Sequence, residues 1–198
     1  MRSLSKALLY AMLVIAVCQG QIRKPLPAAL CTPCIHADMN FLASDELQGR
    51  GSGTRDEHLA ALYAASLFTS FGLQPGGDEG TFLQKAPLPA TFPPDIARRL
   101  AGFAQAPRKT TWNVVGILQG TDAGKEVILL TAHLDHLGIG PAKNGDPIYN
   151  GADDDASGTT AVLELARVFA ATPRPARTLI FVLFGAEELG GYGNRYFL

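Results

Sequence analysis

Two nearly uninterrupted apolar segments, EVILLTA at residues 126–132 and TLIFVLFGA at residues 178–186, most strongly limit the folds open to this chain. Both are typical of strands, and the segment between them has helical periodicity from about Ser157 to Ala171. Apolar strands that bracket a helix indicate a βαβ unit in a parallel sheet. We therefore expect an α/β fold with a mostly parallel central sheet and helices on both faces.

Chelating side chains follow both of these predicted strands. His133 and Asp135 follow the first, Glu187 and Glu188 follow the second, and NGADDDASG supplies three aspartates just before the helix. Taken singly, each has an ordinary explanation, since an aspartate run is common at a helix N-terminus. Ligands of open parallel sheets, however, bind at the carboxyl ends of the strands, and imidazole and carboxylate groups are zinc ligands. Together the residues predict a metal site.

Three motifs carry a resemblance to a known family. TAHLDHLGIG, YNGADDDASGTTAVLELARVF and RTLIFVLFGAEELGGYGNRYF, in this order and spacing, resemble the co-catalytic zinc exopeptidases, which include bacterial leucyl aminopeptidases and glutamate carboxypeptidases. ASDELQGRGSGT resembles the amino-terminal region of their secreted bacterial members. The resemblance covers roughly residues 35–85 and 112–198 and implies a zinc peptidase core of the phosphorylase/hydrolase-like type.

The resemblance implies two zinc ions and a set of metal ligands. His133 would bind the first zinc and Glu188 the second. Asp154 matches the carboxylate that bridges the two ions, with Asp153 and Asp155 as the alternatives for that position.

The resemblance also implies roles for residues that do not bind metal. Asp135 would orient His133 by accepting a hydrogen bond from its other ring nitrogen. Glu187 would be the general base that activates water for attack on the scissile carbonyl. We assign His136 to the loop as a non-ligand, and His36 and His58 to the amino-terminal helices.

The implied reaction is peptide hydrolysis. Because most members of the family are aminopeptidases, the resemblance implies removal of amino-terminal residues. A carboxypeptidase or an amidohydrolase of the same fold stays open, and a non-catalytic remnant is the alternative from a different class. A second zinc exopeptidase family would need a GRGxxDxKGG-like stretch where this chain has GADDDASG. Seventeen basic and eighteen acidic residues give no charge-based reason to expect nucleic acid or an anionic membrane as partner, so a small-molecule or peptide substrate fits better.

The amino terminus is typical of a signal peptide. Arg2 and Lys6 precede the apolar run ALLYAMLVIAVC, which is too short to span a bilayer. We expect residues 1–20 to be removed by cleavage near Gln21, giving a secreted or periplasmic protein; an uncleaved anchor is the alternative. In an oxidising compartment, Cys31 and Cys34 are expected to form a local disulfide.

Residues 21–198 are expected to form one zinc peptidase domain. Its parts are a helical amino-terminal part at about 30–75, a connection rich in Pro and Gly at 75–110, and the sheet core at 111–198. The second helix of the first part should end at Gly72.

The chain stops ten residues after Glu188. In the family, two further ligands, an aspartate and a histidine, follow the Glu-Glu pair. We therefore expect the carboxyl-terminal part of the fold to be missing, and these 198 residues alone to bind zinc weakly and to lack aminopeptidase activity. We also expect the strand at 178–186 to present an open apolar edge.

Overall fold

The computed structural model of the protein describes residues 29–103, 109–122 and 126–198, so the predicted signal peptide lies outside the described residues. The helices are α1 (Thr32–Leu42), α2 (Arg55–Phe71), α3 (Pro94–Arg99), α4 (Ser157–Ala170) and α5 (Tyr192–Phe197). The strands are β1 (Gln74–Pro75), β2 (Leu83–Pro87), β3 (Thr110–Leu118), β4 (Val127–His133), β5 (Gly138–Lys143), β6 (Asp146–Tyr149) and β7 (Thr178–Phe184).

The main sheet contains the predicted βαβ unit. β4 and β7 pair in parallel, with His133 opposite Phe184, and α4 connects them. β7 also pairs antiparallel with β3, and β1 and β2 both pair antiparallel with β3. β5 and β6 form a separate two-stranded sheet. The α/β class is confirmed. Among the described strands, β4 and β7 are the pair that runs parallel, so the sheet is mixed.

The prediction that β7 forms an open edge is wrong. β7 lies between β3 and β4, and β4 is the outer strand of this order. Val127, Ile128 and Leu129 of β4 are 56%, 44% and 44% exposed. Both strands are continuous apolar runs, so their sequences alone could not show which of them is central.

The main core lies where α2 and α4 pack against one face of the sheet. Alternate residues of β7 point to the same side of a sheet, and Leu179, Phe181 and Leu183 are all buried in this core. Helix residues complete it, chiefly Phe68 of α2 and Leu163 of α4, both fully buried. This packing sets the position of α4, whose first turn follows the aspartate run.

The predicted helices of the amino-terminal part are present. The Thr54 side chain accepts a hydrogen bond from the Glu57 N–H at the start of α2, which is a standard N-cap. α2 ends at Gly72, as predicted, and this glycine has a φ of 77°, a left-handed conformation that favours glycine.

The segment at 75–110 is more regular than predicted. It contains β2, which pairs with β3, and the short helix α3. Its prolines mark the ends of elements: Pro87 ends β2, and Pro94 begins α3, where a missing N–H is tolerated. A five-residue strand that ends at a proline shows too little alternation of apolar and polar residues to be recognised from the sequence.

The predicted disulfide between Cys31 and Cys34 is present at the start of α1. The Cys31 N–H donates to Glu164 Oε1 of α4 at 2.5 Å, and Glu164 pairs with Arg167 at 2.7 Å. These contacts hold α1 against α4. Among the described residues, no helix has the length and apolar character needed to cross a bilayer.

Replacing Phe68 by alanine should lower the free energy of unfolding by about 3–5 kcal/mol, because truncation leaves a cavity in a close-packed core. The Phe68 ring is fully buried, with centroids 6.0 Å from Phe82 and 6.3 Å from Phe181. Urea unfolding followed by circular dichroism measures the change. Leu62→Ala on the same helix, at a side chain that is 45% exposed, is the control and should cost less than about 1 kcal/mol. Equal losses would contradict this core.

Candidate metal centre

The candidate site lies at the carboxyl ends of β4 and β7. Because these strands are parallel and in register, the residues that follow them leave the sheet at the same edge. The Leu134 N–H donates to the Phe184 carbonyl at 2.7 Å, which extends the pairing to the point where the chains diverge. His133, Asp135 and His136 therefore lie beside Glu187 and Glu188.

Asp135 links the two chain segments at the base of the site. Its carboxylate is fully buried and accepts hydrogen bonds from the N–H groups of Glu187 at 3.0 Å and Glu188 at 3.2 Å. The Ser52 hydroxyl donates to the same carboxylate. These bonds fix the backbone of the Glu-Glu pair relative to the loop after β4. His133 Nδ1 is 3.1 Å from the Asp135 carbonyl oxygen and 3.7 Å from Oδ1, so the backbone oxygen is its nearer partner.

His133 faces the aspartate run. Its Nε2 is 2.8 Å from Asp154 Oδ1, and its carbonyl oxygen accepts a hydrogen bond from the Thr159 hydroxyl at 2.8 Å. Burial opposes protonation of the ring, but the nearby carboxylates, Asp135 foremost, raise the pKa of His133 to about 9. The ring thus lies in a strongly negative environment that also favours a cation beside it.

The three aspartates have different surroundings. Asp155 Oδ2 accepts from the His133 N–H at 3.1 Å, and its Oδ1 accepts from the Gly158 N–H at 2.9 Å, so this carboxylate holds the loop to the start of α4. Asp153 is exposed, and its carbonyl oxygen accepts from the Ser157 hydroxyl. Asp154, with a side chain 64% exposed, is the aspartate whose carboxylate lies against the histidine.

Glu188 and His136 meet on the other side of Asp154. Glu188 is only 6% exposed, and its Oε1 is 2.9 Å from His136 Nδ1. The two atoms are not aligned for a hydrogen bond, and His136 Nδ1 is buried without a hydrogen-bond partner. Glu188 Oε2 is 3.3 Å from the guanidinium of Arg99 on α3. Glu187, by contrast, is exposed.

One group of metal-binding side chains emerges from this arrangement. Ligand atoms of His136, Asp154 and Glu188 all lie within 4.8 Å of one another, and no other group of three or more is found among the described residues. An imidazole nitrogen with two carboxylate oxygens is a donor set that zinc accepts. His136 Nδ1 is buried and makes no hydrogen bond, and a cation could bind it together with the Glu188 Oε1 atom that lies 2.9 Å from it.

Arg50 holds the loops that carry these ligands. Its side chain is 1% exposed and donates to the carbonyl oxygens of Leu134 at 2.9 Å, Asn150 at 2.7 Å and Gly151 at 2.9 Å, and to that of Leu42. Burial lowers the pKa of Arg50 to about 10, against the opposing effect of the site's aspartates. The guanidinium therefore stays charged at neutral pH and joins the loop after β4 to the loop before α4.

Glu57 is a second buried carboxylate beneath the site. It accepts hydrogen bonds from the N–H groups of Gly53 at 2.7 Å and Ala186 at 3.1 Å, and from the Thr111 hydroxyl at 2.5 Å. Burial raises the pKa of Glu57 well above its usual value, and Asp135 adds to the effect. Glu57 thus connects α2 to the residue that precedes the Glu-Glu pair.

Comparison with known proteins agrees with this geometry. Residues 113–198 match the family described as Peptidase family M28. The zinc exopeptidase family inferred from the three motifs is therefore confirmed.

Two curated proteins with sequence similarity to this chain are a probable zinc metalloprotease of Pyricularia oryzae, 39% identical over 84 residues, and aminopeptidase YwaD of Bacillus subtilis, 33% identical over 91 residues. The matches cover 42% and 46% of this chain but only 16% and 18% of the relatives. The chain thus spans less than a fifth of either relative. The zinc aminopeptidase BSAP from Bacillus subtilis has a similar fold, with a TM-score of 0.59 at 19% identity over 87% of this chain and 65% of that chain.

The sequence did not reveal several residues that shape the candidate site. His136 lies in the same short motif as His133, but its contact with Glu188 depends on how the two loops meet, and spacing alone does not show that. Arg50 and Glu57 lie in amino-terminal segments that were assigned to a loop and a helix. No local pattern marks a polar residue as buried when its partners are distant in sequence.

Replacing Arg50 by methionine should lower the free energy of unfolding by about 3 kcal/mol or more, since buried carbonyl oxygens would lose their donor. Chemical denaturation measures this loss. The matched control is Arg55→Met, at a side chain 79% exposed, which should change stability by less than about 0.5 kcal/mol. Similar stabilities for the two variants would show that Arg50 does not hold these loops.

Proposed function

We propose that the protein is a zinc-dependent exopeptidase that removes amino-terminal residues from peptides. The observation that carries the proposal is the meeting of His133, Asp154 and Glu188 at the carboxyl ends of two parallel strands, in a region that matches peptidase family M28. The aminopeptidase assignment is supported by a relative of that name, YwaD, and by the shared fold.

The proposed metal ligands are His133 for one zinc, Glu188 for the other, and Asp154 between them. Asp154 is 2.8 Å from His133 Nε2 and also belongs to the group that contains Glu188, so its carboxylate faces both proposed ions. This position supports a bridging role and favours Asp154 over Asp153 and Asp155. When bound, zinc polarises a scissile carbonyl and makes water a better nucleophile.

Glu187 is proposed as the general base. Its backbone N–H is held by the Asp135 carboxylate, while its side chain is exposed and lies outside the group of metal-binding side chains. A carboxylate that is fixed at its backbone and free at its tip can take a proton from the attacking water and deliver it to the leaving amine. Asp135 is proposed as a positioning residue, acting through His133 and through the backbone of the Glu-Glu pair.

In a full-length version of the protein, Glu187→Gln should keep its zinc and lose about 10²- to 10⁴-fold in turnover, because it removes a base and not a ligand. Asp154→Asn should lose zinc as well as turnover, because it weakens the position between both ions. Zinc content by mass spectrometry and release of nitroaniline from an aminoacyl-nitroanilide panel give the two readouts. Glu46→Gln, at an exposed acid away from the site, is the control.

Equal loss of zinc in the Glu187 and Asp154 variants would show that the two roles are misassigned. In that full-length version, bound zinc without hydrolysis of any member of the panel would overturn the aminopeptidase proposal and favour the non-catalytic alternative. Release from carboxyl-terminal substrates alone would instead assign a carboxypeptidase.

We also propose that the protein is exported, with cleavage near Gln21. The charged start and the twelve-residue apolar run support this, and the disulfide between Cys31 and Cys34 is typical of an oxidising compartment. Expression in a bacterial host followed by amino-terminal sequencing of the exported protein should find a new terminus near Gln21. Leu13→Arg, which interrupts the apolar run, should retain the protein in the cytoplasm. Intact Met1 in the exported fraction would contradict cleavage.

A further inference from the structure

We propose that His136 is a ligand of the zinc ion bound by Glu188, so that His136, Asp154 and Glu188 together form a three-residue zinc site. This inference rests on the proposed zinc-dependent function and adds a residue that the three motifs had left as part of the loop.

The first argument is the contact between His136 and Glu188. Nδ1 and Oε1 are 2.9 Å apart without the alignment of a hydrogen bond, and Nδ1 has no other partner. Leaving a buried polar atom unpaired is costly, so such atoms are rare in folded proteins. A buried nitrogen and a carboxylate oxygen that lie this close together, with an Asp154 oxygen nearby, could both bind one cation.

The second argument is that the ring of His136 is already fixed. Its backbone N–H donates to the Arg50 carbonyl oxygen at 3.0 Å, and Gly51 and His136 form an isolated parallel bridge. Gly151, at a φ of 61°, lies so close that an added Cβ would be 2.6 Å from His136 Cγ. These contacts fix the backbone of His136, and the close approach of Gly151 limits the space around its imidazole.

The third argument is the number of ligands. Zinc in catalytic sites usually has three protein ligands and one open position. His136, Asp154 and Glu188 supply three ligands of the right kind within 4.8 Å of one another. For the other proposed ion, the described residues bring together His133 and Asp154. We therefore expect one tightly bound zinc per chain at the His136 site, in place of the weak binding expected from the motifs.

Arg99 competes with zinc for Glu188. Its guanidinium is 3.3 Å from Glu188 Oε2, but its side chain is 48% exposed and can turn toward water when a metal arrives. Because the Arg99 side chain is half-exposed, water screens its charge and this competition should be weak. Arg99→Met should bind zinc about two- to fivefold more tightly than the unaltered protein. Arg98→Met, at the exposed neighbouring position, should not.

The main test is a zinc titration of the full chain by isothermal calorimetry, with zinc content measured after dialysis. Loss of a residue that only orients a ligand costs about 10- to 100-fold in metal affinity, so His136→Ala should cost at least about 100-fold. His36→Ala, an exposed histidine on α1, should bind as the unaltered protein does. His133→Ala should lose about 10- to 100-fold at most, less than His136→Ala, because it removes a partner of Asp154 and not a ligand of this ion.

Two measurements guard against a variant that misfolds. His136→Gln keeps a polar side chain of similar length but supplies no imidazole, and it should show an unchanged circular dichroism spectrum with the same loss of zinc. In the unaltered protein, the ¹⁵N chemical shift of His136 Nδ1 should move when one equivalent of zinc is added. A shift confined to the ring of His133 would overturn the inference.

The outcomes separate this inference from the proposed function. One zinc per chain, lost in both His136 variants and kept in His133→Ala, supports the three-residue site. Zinc binding that survives in folded His136→Gln and is lost in His133→Ala overturns the role of His136 but leaves the zinc site standing. Failure of the unaltered, folded chain to bind zinc would overturn both.

Discussion

The parallel pairing of β4 with β7 determines where every candidate ligand lies. Because the two strands end together, residues 133–136 and 187–188 leave the sheet side by side. α4, packed on the core beneath, brings the aspartate run to the same edge. A shift of one residue in this register would turn the ligands to the other face of the sheet. The apolar runs that form the core thus also assemble the metal site.

The base of the site is rigid and the top is open. Asp135 and Glu57 are buried and accept several hydrogen bonds each, while Arg50 provides the buried positive charge beside them. Burying carboxylates is costly unless donors or opposite charges accompany them. Asp154 and Glu187 are exposed, so the proposed bridging ligand and the proposed base are accessible from solvent, whereas Glu188 is buried. The charged residues that are costly to bury therefore lie beneath the site, and the proposed base lies at its surface.

The sequence predicted the parts of the fold and site that depend on local patterns. The βαβ unit, the end of α2 at Gly72 and the disulfide follow from periodicity, glycine and cysteine spacing. The central position of β7 could not be predicted from these patterns, because β4 and β7 are equally apolar and their sequences do not distinguish an edge strand from a central one. The place of His136 depends on the meeting of loops distant in sequence, and so does the burial of Arg50 and Glu57.

The hydrogen bonds of Arg50, Ser52 and Glu57 show that the region of family similarity is smaller than the structural unit. The matched region begins at residue 113, yet residues 50–57 supply the guanidinium beneath the ligand loops, a donor to Asp135 and an acceptor for Ala186. A boundary drawn where similarity begins would therefore cut through the support of the metal centre. An excised fragment would keep every proposed ligand and lose the contacts that hold them in place.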